Sequence, residues 1–270
     1  MATYLDSIGA WHRDVASKDR RELTDLAALA RATAPPRDFM GAIRAHGRKS
    51  AGGSTIAVVA EIKRRSPSKG DLAPDLDPAE VARSYAAGGA SCLSVLTDGP
   101  HFAGSPQDLQ LARQAMGLPV LRKDFTVSRA DVYDARIMGA DAVLLIVALL
   151  DIDELAELHH LIGELGMAAL VEVHDEDELN KSLEIGVELV GVNQRDLHTF
   201  EVDGEQAKRV ARHIPAGVLK IAESGVASAG DVAALAEVGF DGVLVGECLL
   251  RARDRSAAVA ELMGRTVSCG

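Results

Sequence analysis

Seven helix-start signals recur along this chain at near-constant spacing, and that recurrence limits what the chain can fold into. Each is a loosened capping box. A Ser or Asp is followed three residues later by an acid or amide, so that each side chain can reach the other's backbone N–H. The pairs are Asp77/Glu80, Ser105/Asp108, Ser128/Asp131, Asp151/Glu154, Asp175/Glu178, Asp203/Gln206 and Ser228/Asp231. Pro78 and Pro106 take the first helical position of two of them, where a missing N–H costs nothing. The start-to-start spacings are 28, 23, 23, 24, 28 and 25 residues. One such pair arises by chance; seven in step mark a repeated supersecondary unit.

Eight short apolar runs fall between or beside these starts: 55–62, 91–97, 119–125, 141–148, 167–174, 188–193, 219–224 and 241–246. They are rich in aliphatic and β-branched residues, as strands covered on both faces are. Gly89, Gly139, Gly186 and Gly239 each close a helix just before an even-numbered run, where a left-handed exit turn suits glycine. Alternating strands and helices in this number predict an α/β fold, a closed (β/α)8 TIM barrel. A doubly wound open sheet would place a Gly-rich dinucleotide turn after an early strand; the first run instead leads into EIKRRSPSKG. Residues 1–50 read as an N-terminal helical extension of one or two helices, broken at Ala34-Pro35-Pro36. The barrel is expected over 55–265, within one domain spanning 1–270.

At 270 residues and 47% apolar content, the chain can bury a core of that size. Its net charge of −11 argues against nucleic acid, which calls for a basic stripe. Cys92, Cys248 and Cys269 form no CxxC pair, so no zinc site or disulfide framework is expected. The first two read as small buried thiols in a reducing cytosol, and Cys269 as part of a loose tail. Asp6, His12, Arg13 and Asp14 interrupt the start of the chain, so it does not read as a signal peptide. The longest apolar run, Ala142–Leu150, is too short to span a bilayer. These readings predict a cytoplasmic protein with no membrane or nucleic-acid partner.

Side chains two apart on a strand share a face. Glu61 and Lys63 therefore point with Ala57 and Val59 toward the barrel interior, at the strand end where this architecture places its chemistry. The same reasoning marks Lys123, Glu172, Asn193, Arg195 and Glu223. Glu172 or Glu223 alone could be half of a structural ion pair. Seven polar groups from five strands are better read as a site, because buried unpaired charge is expensive. Ser224-Gly225 after the seventh run and Gly246-Glu247 after the eighth suggest an anion pocket built from backbone N–H groups, and hence a small phosphorylated substrate. A metal is not expected, because only His174 stands at a strand end as a candidate ligand. Lysines gathered near Arg195 are expected to have lowered pKa values.

The strings AEIKRRSPSKG (60–70), LTDGPHFAGSPQDL (96–109), LRKDF (121–125), LVEVH (170–174), GVNQRDL (191–197), IAESGV (221–226) and VLVGECLLR (243–251) resemble the indole-3-glycerol phosphate synthase family. They occur in that family's order. The resemblance implies a cofactor-free and metal-free ring closure of 1-(2-carboxyphenylamino)-1-deoxyribulose 5-phosphate, with loss of carbon dioxide and water. It implies a general acid at Lys123 and its acid/base partner at Glu172. Glu61 and Lys63 would handle protons or the substrate's anionic groups, and Asn193 would orient the substrate within the same catalytic set. The division of labour between the two lysines stays open. Ser66, Phe125, Arg195 and Glu223 would contact the substrate, with Phe125 walling the arene. Ser224, Gly225, Gly246 and Glu247 would hold phosphate, Glu247 through its backbone. His101 stands where many relatives carry an aromatic and is expected to tune a loop. The loop 64–70 is expected to act as a lid, and the molecule is expected to be a monomer without a second fused barrel. The alternatives are another phosphate-binding barrel, such as phosphoribosylanthranilate isomerase, and a catalytically silent binding barrel. The isomerase has no use for two inward lysines and Arg195.

Overall fold

The computed structural model describes residues 4–47, 56–67, 69–195 and 201–265. Eight parallel strands close into a barrel: β1 (Ala57–Ile62), β2 (Cys92–Leu96), β3 (Val120–Lys123), β4 (Ala142–Ile146), β5 (Ala168–Val173), β6 (Leu189–Asn193), β7 (Leu219–Glu223) and β8 (Gly242–Val245), with β8 pairing back onto β1. Each falls inside its predicted run. The helices are α1 (Tyr4–Lys18), α2 (Leu23–Ala32), α3 (Phe39–Gly47), α4 (Pro78–Gly88), α5 (Gly99–Phe102), α6 (Pro106–Ala115), α7 (Arg129–Ile137), α8 (Ile152–Glu164), α9 (Glu176–Glu184), α10 (Gly204–Ala211), α11 (Ala229–Glu237), α12 (Glu247–Arg251) and α13 (Arg255–Leu262).

All seven predicted caps are N-caps, and each side chain accepts a backbone N–H of its helix's first turn. The reciprocal box closes at Asp151/Glu154 and Ser228/Asp231. Gln206 instead donates to the His174 carbonyl, and Glu178 reaches back to the His174 N–H at 2.7 Å. The four predicted exit glycines all have positive φ; Gly166 and Gly217 do the same before β5 and β7.

The N-terminal extension holds three helices where the sequence suggested one or two. The Asp19 carboxylate takes the backbone N–H and guanidinium of Arg21, which turns the chain between α1 and α2. On α3, Phe39 and Ile43 pack with interior residues. The Phe39 carbonyl accepts from Cys92 Sγ at the start of β2, so α3 plugs the N-terminal end of the barrel. On α1, Leu5 and Ile8 join the same interior cluster but sit at the opposite mouth.

The interior is layered, as alternation on closed parallel strands requires. Val59, Leu121, Leu170 and Ile221 come from the odd strands and are buried. The next layer, from the even strands, is Ser94, Leu144, Gly191 and Leu244. Above it the odd strands supply Glu61, Lys123, Glu172 and Glu223. Pairing register supports this order: the layer beneath flanks the ionic one, Ser94 lying opposite Glu61, Gly191 opposite Glu172 and Leu244 opposite Glu223. Val58, Ala60 and Ile62 face the other way and pack with helix residues such as Val81 and Tyr85.

Candidate active site

The ionic layer is the floor of a cavity of about 530 Å³ at the C-terminal mouth. All thirteen site residues read from the sequence line it: Glu61, Lys63, Ser66, Lys123, Phe125, Glu172, Asn193, Arg195, Glu223, Ser224, Gly225, Gly246 and Glu247. Of the lid loop, Ser68 lies outside the described residues. Arg65–Ser66 and Gly70–Asp71 form a short antiparallel ladder. Asp196 and Leu197 of the fifth matching string, Thr55 of the first run, and Cys269 also lie outside them.

At the centre, Lys123 Nζ stands 2.7 Å from Glu172 Oε2 and 2.6 Å from Glu223 Oε2. One ammonium thus faces two buried carboxylates. Burial alone would lower the lysine's pKa, but Glu172, Glu223 and Glu61 outweigh it, and the net shift is upward. This corrects the expectation of lowered lysine pKa values for Lys123: the three carboxylates decide it. The two acids diverge. Burial pushes both up, but Glu172 also meets Lys123, His174 and the Asn193 amide at 3.0 Å, which bring it down to about 2. Burial and the neighbouring Glu172 charge lift Glu223 to about 7, against the pull of Lys123. Its Oε1 is buried without a hydrogen-bond partner, in the space left by Gly191, where an added Cβ would lie 2.1 Å from that oxygen.

On β1, Lys63 Nζ contacts Glu61 Oε1 at 2.5 Å. Gly246 leaves room for the pair; a Cβ there would meet Glu61 Oε1 at 2.5 Å and Lys63 Nζ at 3.2 Å. Beyond β7, Ser224 takes a left-handed φ of 65°, unusual without glycine. Its hydroxyl donates to Asn193 Oδ1 at 2.9 Å, and its carbonyl accepts from Gln194 Nε2 at 2.7 Å. Asn193 Oδ1 also accepts the Arg195 backbone N–H at 3.0 Å. One amide therefore ties Glu172, the β6 exit and the β7 exit together. Gly246 opens α12, and Glu247 turns its carboxylate to Arg251 Nε at 3.2 Å. With its side chain so engaged, Glu247 has its backbone to offer at the helix start, where N–H groups favour an anion.

The sequence reading missed one wall. Tyr4, Leu5 and Ile8 of α1 line the cavity with Phe102 and Phe125, whose rings lie 6.1 Å apart. The signal was available in the helical spacing of Leu5, Ile8 and His12, but it does not say which surface the helix covers. Docking is fixed by His12 Nε2, 3.1 Å from buried Asp98, which also takes His101 Nδ1 and two backbone N–H groups. His101, on α5, also meets the Trp11 ring of α1 edge-on at 5.9 Å, a contact that helps hold α1. Asp124, beside Lys123, is held by Thr97, Arg122 and the Phe125 N–H.

Comparison with known proteins gives consistent results. The family model described as indole-3-glycerol phosphate synthase matches residues 6–262. An indole-3-glycerol phosphate synthase of Mycobacterium ulcerans (strain Agy99) is 47% identical, over 99% of this chain and 97% of its own length. One from Nocardioides sp. (strain ATCC BAA-499 / JS614) is 48% identical over 96% and 98%. Among solved structures, thiamine phosphate pyrophosphorylase from Pyrococcus furiosus aligns with a TM-score of 0.58 at 17% identity, covering 77% of this chain and 93% of its own. At that identity the likeness shows the barrel fold alone.

Proposed function

The chain belongs to the indole-3-glycerol phosphate synthase family, and from that premise we propose how its own residues divide the reaction. It is a carbon–carbon lyase of tryptophan biosynthesis. The ring carbon that carries the carboxylate of 1-(2-carboxyphenylamino)-1-deoxyribulose 5-phosphate attacks the ribulose carbonyl. Carbon dioxide then leaves, water follows, and the indole ring forms.

Lys123 enters as an ammonium and Glu172 as a carboxylate, which gives them opposite duties. Lys123 donates a proton to the carbonyl oxygen as the carbon–carbon bond forms. Glu172 accepts a proton in the dehydration that completes the ring. Lys63, just past the end of β1 and beside Glu61, holds the substrate carboxylate until it departs. Asn193 keeps Glu172 in place, and Arg195 and Ser66 orient the substrate. The arene lies against Phe125, Phe102 and α1. Phosphate sits across the mouth, between Ser224-Gly225 and the start of α12, as barrels of this kind arrange it. The observation that carries this reading is the single ammonium between two carboxylates of opposite proton affinity, facing that anion pocket.

The test is purified protein with the carboxyphenylamino substrate, following indole absorbance. Wild type forms indole-3-glycerol phosphate, and Lys123→Met loses at least about 100-fold in kcat, as loss of an acid predicts. No indole product from wild type would overturn the reading. We also propose a one-domain monomer of the cytoplasm, expected to show one thermal transition and one sedimenting species at monomer mass. Among the described residues, no helix is long and apolar enough to cross a membrane.

A further inference from the structure

His174 ends the β5 region just behind Glu172 and takes no part in lining the cavity. Its Nδ1 is 3.0 Å from Glu178 Oε2 on α9. Its Nε2 is buried, has no hydrogen-bond partner, and stands 3.6 Å from Glu172 Oε1. Three further contacts fix the ring. The Glu178 carboxylate takes the His174 backbone N–H, Gln206 of α10 donates to its carbonyl, and Asp175 caps the helix that carries Glu178. This is why the Asp175/Glu178 box fails to close: the acid is engaged by His174 instead.

The two protonation forms differ sharply here. A neutral ring that donates from Nδ1 to Glu178 would point the Nε2 lone pair at a carboxylate oxygen. An imidazolium points an N–H there instead, with a carboxylate at each end of the ring. We propose that His174 is a positioning residue, held as an imidazolium between Glu178 and Glu172, that orients Glu172 and keeps it ionised as the base of the reaction. The role in catalysis rests on the function proposed above; the charge on the ring does not.

The surroundings support this. Glu178 faces the ring from α9, Glu172 from its own strand and Glu223 from β7, and together they raise the histidine's pKa against burial. Lys123 on β3 opposes this, but it lies across Glu172, bonded to the other oxygen. Arg209 of α10 is drawn outward, near Glu176 and Asp203.

The first test needs no substrate. In a 15N-histidine titration of wild type, assigned by the signal missing from His174→Gln, His174 should titrate above the ordinary 6.5. A value below 6.5 would overturn the proposal. The second reads catalysis. In His174→Gln the acidic limb of the kcat/KM profile should move up by about one pH unit. On that limb kcat should fall by up to about tenfold, with KM within about twofold, because the residue never meets substrate. A stability loss with an unmoved pH profile would show a merely structural role and overturn it. If His174→Gln does not fold, Glu178→Gln should move the same limb in the same direction, and an unmoved limb overturns the proposal equally. If wild type makes no indole product, the functional reading fails on its own. The Glu172 13C-carboxyl titration, wild type against variant, then still decides whether His174 holds it ionised.

Discussion

At β6, Gly191 is a glycine for a reason found on the neighbouring strand. Glu223 Oε1 occupies the place where its side chain would be. Gly191→Ala should therefore displace the carboxylate. Overpacking of this kind costs about 1–3 kcal/mol, but the larger effect should be on rate, with kcat falling about tenfold or more while the circular-dichroism spectrum stays native. The same carboxylate gives a pH signature. Its folded pKa, about 7, lies above the ordinary carboxylate value, so the folded state holds a proton that the unfolded chain has released. That contribution is complete below about pH 4.5 and is lost as pH rises to about 7. Glu172 works the other way, losing its contribution as pH falls from about 4.5 toward about 2. Glu223→Gln mimics the protonated acid. It should come within about 1 kcal/mol of wild type in urea stability at pH 5 and exceed it by roughly 3 kcal/mol at pH 8; equal stability at pH 8 would show that Glu223 is not shifted. None of this could be read from the sequence. The residues were placed at the mouth correctly, but the direction of the Lys123 shift depends on how many carboxylates reach one ammonium, a count that only tertiary structure supplies.

The helices were the most legible elements, because a cap is a local device whose two halves lie within one turn. All seven predicted starts are N-caps, and the eight strands followed from runs covered on both faces. What stayed hidden was non-local. α5 is a four-residue turn on Asp98. The placement of α1 depends on a histidine and an aspartate 86 positions apart. A cap can be weighed on its own. Asp151 accepts the Glu154 N–H at 2.8 Å while Glu154 returns to the Asp151 N–H at 3.1 Å. Asp151→Ala should cost about 1 kcal/mol and lower Tm by about 2–4 °C for a chain of this size. Glu154 also grips Arg13 of α1 at 2.6 Å, so the loss should be larger in wild type than in an Arg13→Ala background. Scanning calorimetry of the four proteins in that cycle checks it.

For the whole molecule, strand alternation explains why the chemistry sits where it does. Closure puts every second strand's side chains on one level, and the uppermost ionic level draws all four members from the odd strands, each two βα units from the next. The spacing of the helix starts encoded that geometry, though it did not reveal that Ser94 and Gly191 beneath are small and leave the charges room. The layer has a consequence for dissection. A cut in the loop between β4 and α8 would give one fragment carrying Glu61, Lys63 and Lys123 and another carrying Glu172, Asn193 and Glu223. Lys123 and Glu172 would then belong to different polypeptides, and neither fragment is expected to form the indole product alone. Turnover recovered on mixing would report the zipping of two half-sheets along the β4–β5 and β8–β1 seams, a catalytic readout of reassembly that needs no label.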